Sequence, residues 1–142
     1  MKLSIFVLCA LFPLIAQVPA EPPLVSRLKT TPVSSIEASL PDKPLDAWLT
    51  DLFQPPKYEV NHCQVPGKES EWCVNVTAVK GIQMVHLTFL ISQEKHQEGT
   101  AKPAKIEFLG GDVGPSNPQM KMPTRSLSKL SDLEKRFHPT AP

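Results

Sequence analysis

The sequence predicts an α+β fold: a short N-terminal helix packed on a small antiparallel β-meander of three to four strands, with proline-rich flexible arms and one disulfide. Three observations predict it. Glu71–Phe89 (EWCVNVTAVKGIQMVHLTF) alternates apolar and polar residues with the period of half-buried strands. Residues 41–56 (PDKPLDAWLTDLFQPP) instead carry Leu45, Trp48, Leu49, Leu52 and Phe53 at i, i+3, i+4, i+7 and i+8, the spacing of one helix face. None of the 16 prolines falls between Gly67 and Lys102. Proline cannot donate to a sheet ladder, so the centre of any sheet belongs in that window.

Residues 1–20 (MKLSIFVLCALFPLIAQVPA) have one cation at Lys2, an apolar run and a small-residue ending, which is the layout of a secretory signal peptide cleaved between Ala20 and Glu21. The run is short for a bilayer span, and no second one follows, so no membrane span is expected after signal removal. The expected destination is the extracellular space, or the periplasm if the host is bacterial. The chain carries 15 Lys+Arg against 14 Asp+Glu. Loss of Lys2 with the leader makes the totals equal, and a neutral chain has no long-range field for nucleic acid.

Residues 21–41 (Pro22-Pro23, Thr31-Pro32) read as a proline-rich flexible arm. A small disulfide-stapled α+β domain is expected over 42–112. Its helix starts at Asp42 as cap, tolerates Pro44 in the first turn and stops at Pro55-Pro56. After the leader is removed, Cys63 and Cys73 remain, and an even count in an exported chain predicts a disulfide. Closing so short a loop removes roughly 3 kcal/mol of unfolded-chain entropy.

Strand pairing follows from burial. A turn at Lys80-Gly81 pairs Val79 with Ile82, Val76 with Val85, Val74 with Leu87 and Trp72 with Phe89, which makes one face wholly apolar. The opposite face then carries Cys73, Asn75, Thr77, Met84, His86 and Thr88. A turn around Gly67-Lys68 sets Cys63 opposite Cys73, Val60 opposite Val76 and Tyr58 opposite Ala78. Lys105–Gly110 supplies a fourth strand with Ile106 and Phe108 inward. Residues 113–142 are expected to be a loop and basic tail, with a second helix over 126–137 in which Ser131 and Glu134 have capping-box spacing and Leu127, Leu130 and Leu133 dock. Helix followed by meander is similar in outline to cystatin-like domains. The Q-x-V-x-G inhibitory loop and the second disulfide of those domains are absent, so no family is assigned.

Asn75-Val76-Thr77 is an N-x-Thr acceptor for N-glycosylation, and the derived pairing turns Asn75 outward. No catalytic residue is nominated. There is no G-x-S-x-G, no cysteine left free by the disulfide, and His62, His86, His96 and His138 fall in unlike contexts. No H-E-x-x-H, C-x-x-C or glycine-rich phosphate loop occurs, so no cofactor or metal site is nominated. The expected function is that of a small secreted non-enzymatic protein acting through contact with an unknown extracellular protein. Two alternatives rest on single motifs. Lys135-Arg136 could mark a peptide precursor, and Met120 with Met122 could offer thioethers to Cu(I) in a periplasmic copper-handling protein.

Overall fold

The computed structural model describes residues 22–64, 66–67, 71–92 and 105–138. The expected signal peptide and its Ala20/Glu21 junction, Lys68 and His96 lie outside the described residues. The described elements are helices α1 (Pro23–Thr30), α2 (Val33–Ile36), α3 (Leu45–Leu52) and α4 (Ser131–Phe137), and strands β1 (Lys57–His62), β2 (Trp72–Lys80), β3 (Gln83–Ser92), β4 (Lys105–Pro115) and β5 (Arg125–Leu127). The strands form one antiparallel sheet in the order β1-β2-β3-β4-β5. The fold is therefore α+β with a disulfide, and the meander has one strand more than expected.

Helix α3 forms where its apolar spacing predicts, and it buries Leu45, Trp48, Leu49 and Leu52. Its start is not the expected one. Pro44 is the N-cap, and no side chain caps the helix; Asp42 instead accepts a hydrogen bond from Ser34 Oγ at 3.3 Å. Two backbone bonds tie this entry to the preceding segment, Val33 N–H to the Lys43 carbonyl and Leu45 N–H to the Thr31 carbonyl, both at 2.9 Å. Tyr58 Oη donates to Asp46 Oδ1 at 2.7 Å and so joins β1 to α3.

Residues 21–41 contain helices where an extended arm was expected. Pro22 is the N-cap of α1 and Pro23 its first helical residue, a position where the missing N–H costs nothing and the fixed φ suits the helix. The prolines thus mark a helix start. Val25, Leu28 and Val33 are buried and belong to the main core.

The β2–β3 register differs from the expected one by a two-residue slip. Val76 pairs with Leu87, Val74 with Phe89 and Lys80 with Gln83. The two-residue loop is therefore Gly81-Ile82. Gly81 has φ +59°, and Ile82 has no positive φ, the pattern of a hairpin turn with glycine at the first central position. A slip of two leaves every side chain on its face, so burial could not distinguish the registers. Val74, Val76, Ala78, Val85, Leu87 and Phe89 are all buried, whereas Trp72 is 45% exposed.

The same slip corrects β1. Val60 faces Val74, Tyr58 faces Val76, and Asn61 rather than Cys63 stands opposite Cys73. Cys63 lies just beyond the strand, where its N–H reaches the Glu71 carbonyl at 3.1 Å. The Cys63–Cys73 disulfide forms from that offset, with a Cα–Cα distance of 5.0 Å.

Strand β4 continues five residues past the expected end. At the Thr88/Phe89 position the register shifts, because Leu109 is an extra residue between Phe108, opposite Phe89, and Gly110, opposite Thr88. Gly110 has φ +141°. A Cβ at Gly111 would collide with the His86 carbonyl oxygen, so the close passage of β3 and β4 requires glycine there. Ser126-Leu127, expected to begin a helix, forms β5 with Arg125 instead and pairs with Gly111–Val113. Helix α4 is limited to Ser131–Phe137 and shows no side-chain cap bond, so the Ser131/Glu134 capping box does not form. The docking residues hold: Leu127, Leu130 and Leu133 are all buried. Phe137 packs edge-on against Phe53 at 4.7 Å, and its carbonyl accepts from Lys80 Nζ at 3.2 Å.

Candidate interaction surfaces

The inner face of the sheet carries the core, and the described surface has concavities, two of which are built as follows. The first is an open cleft of about 950 Å³ between the α1–α2 region, the first half of β4 and the residues after β5. Strand alternation aims Ile106 and Phe108 toward the core side, where both pack on it, as does Ile36 from α2. These three give the cleft an apolar floor. The Phe108 ring is held against Phe89 with centroids 5.4 Å apart.

The rim is charged. Arg27 from the last turn of α1, Lys105 from the start of β4 and Lys129 before α4 supply three cations, with Glu37 and Glu107 as carboxylates. Glu37 has a structural task. Its Oε2 accepts the Ser131 N–H at 3.2 Å at the start of α4, and its Oε1 accepts from Ser39 Oγ at 3.1 Å. Burial raises the Glu37 pKa, but the hydrogen bonds from Ser131, Ser39 and Leu130 outweigh it and hold the carboxyl below its ordinary value. Glu37 stays ionised, so the three cations outnumber the two rim carboxylates by one. The cleft thus offers bulky apolar contact beneath a positively charged lip.

The second concavity, about 430 Å³, lies on the outer face of the sheet. Asn75 sits in it, half-buried on β2. Thr88 Oγ1 donates to Asn75 Oδ1 at 3.0 Å, while Nδ2 has no partner among the described residues and is not buried. Across the sheet, Asn75, Thr88 and Gly110 stand in register. One side of this row is Thr77, His86 and Asp112. The other is a small apolar cluster of Cys63, Cys73, Leu90 and Leu109.

The remaining nominated residues stay dispersed. Met120 and Met122 are half-buried in the segment after β4. Among the described residues no group of three or more His, Cys, Asp or Glu comes together. His62 stacks on Trp72 at 4.0 Å and lines the second concavity, His86 bonds Thr77 Oγ1 through Nδ1 at 3.3 Å, and His138 follows α4. Lys135 and Arg136 occupy the last turn of α4, next to the buried Phe137. No described helix is long and apolar enough to cross a membrane.

Sequence reasoning missed the cleft, because Arg27, Glu37, Phe108 and Lys129 come from four separate segments. The one available signal was the Val25/Leu28 spacing behind Pro22-Pro23, which marks a packed helix. Comparison with known protein families, characterised proteins and solved structures found no match, so the reading of both surfaces rests on their own residues.

Proposed function

We propose that the protein is exported by its leader, bears an N-glycan and works without catalysis by binding another extracellular protein. The observation that carries the binding part is the α1–α2/β4 cleft. Its apolar floor of Ile36, Ile106 and Phe108 lies under a lip where Arg27, Lys105 and Lys129 outnumber Glu37 and Glu107. Charge complementarity selects an occupant with a bulky apolar side chain flanked by acidic residues, carried on an extended segment of the partner. The disulfide supports the exported reading, since such bonds persist in oxidising compartments. The precursor alternative loses support because Lys135-Arg136 is helical and anchored by Phe137.

Panning a random peptide library against the oxidised protein tests this. Peptides combining acidic residues with a bulky apolar one should be enriched, and their binding should fall at least tenfold in an Arg27→Glu/Lys129→Glu variant. No enrichment, or binding indifferent to the double substitution, would overturn the cleft as the binding surface.

A further inference from the structure

Among the described residues the helices pack on the inner face of the sheet, and the outer face is built unevenly in a way that suits one occupant. The Asn75–Thr88–Gly110 row is low because its last member has no side chain. One flank is polar, Thr77, His86 and Asp112, and the other sets apolar Leu109 and the Cys63–Cys73 bond beside His62 and Gln64. Two strand spacings, about 10 Å, separate Asn75 from Gly110. A hexosamine ring has the matching chemistry, with one C–H face suited to Leu109 and hydroxyl edges suited to Asp112 and Thr88. The attachment atom is already there: Asn75 Nδ2 is unpartnered among the described residues, and Thr77 completes the acceptor triplet on the same face.

We infer that Asn75 carries an N-linked glycan whose first sugar lies in this outer-face depression, over Gly110 and against Leu109 and the disulfide. The inference rests on the exported, glycosylated reading above and adds where the sugar lies and what it does. The seated sugar covers the half-buried Asn75–Thr88–Gly110 row beside the already buried Cys63–Cys73 bond. Glycine at 110 is required by its φ of +141° and leaves this end of the row without a side chain.

The test uses the full chain secreted from a glycosylating eukaryotic cell line. Intact mass before and after peptide N-glycosidase reads the glycan, and the rate of enzymatic release is then compared for native and denatured protein. A glycan lost by Asn75→Gln, kept by Thr77→Ser and released at least tenfold more slowly from native protein is the expected result. A Thr88→Tyr variant fills the depression with a residue suited to a strand, keeps the acceptor triplet and should lose the native protection. Absence of any glycan would overturn both the glycoprotein reading and the seat. A glycan released equally fast from native and denatured protein, or one still protected in Thr88→Tyr, would overturn the seat alone.

Discussion

At the scale of single residues, Glu37 does more than its exposed-looking context in the sequence suggests. Its carboxylate meets the first N–H of α4 across a sequence separation of 94 residues, so it fastens the C-terminal helix to the α2 region. A negative charge at a helix N-terminus stabilises by up to about 1 kcal/mol. Glu37→Gln should therefore lower stability at pH 7 by about 1 kcal/mol in urea unfolding. The sign of the pH dependence follows from the lowered pKa. The folded state binds the proton less tightly than the unfolded state, so the contribution is complete above the unfolded pKa of about 4.5 and is lost as pH falls through the lower folded value. Wild type and variant should converge in strongly acidic urea titrations. Gly111→Ala is a sharper test of packing. With the His86 carbonyl in the way, the strand pair must move, and a loss of about 1–3 kcal/mol is expected from calorimetric or urea unfolding.

Elements show how far local pattern carries. Helix α3 is legible because Leu45, Trp48, Leu49 and Leu52 share one face whatever they pack against. Helix α1 is equally patterned through Val25 and Leu28, but its two flanking prolines also suit an extended chain. Leu28, fully buried, decides the matter: Leu28→Ala should cost about 2–5 kcal/mol, whereas a substitution in a mobile arm would change urea unfolding little. The face assignment of β2 and β3 was readable from alternation, because period 2 ties each residue to a side. Their register was not, because every even slip preserves those sides, and only the Gly81-Ile82 turn geometry selects among them. For β5, Arg125-Ser126-Leu127 is too short to show a period of its own. It is a strand because β4 runs past Gly111 and presents an unpaired ladder to it.

At the scale of the whole molecule, one sheet face, three N-terminal helices and α4 share a single core. Unfolding should accordingly be one cooperative transition with coincident circular dichroism and tryptophan fluorescence. Reduction should move that transition downward by roughly 3 kcal/mol of stability, the loop-closure contribution of the disulfide. Separate transitions for the helical and sheet signals would contradict a single core. Both candidate surfaces exist only at this scale. The cleft needs α1, α2, β4 and the approach to α4 together, and the outer depression needs three adjacent strands and a bulge.

The sequence alone determined the properties set by pattern and pairing: the α+β class, the α3 stripe, the inner and outer faces of β2 and β3, and the Cys63–Cys73 bond. These depend on period and on a single cysteine pair, both local or countable quantities. Tertiary structure alone decided the register, the fifth strand, the helices in the proline-rich segment and the charged lip over Phe108. Each of those depends on which distant segment supplies the missing hydrogen bonds or covers the remaining apolar area, and such long-range partners leave no periodic trace in either segment.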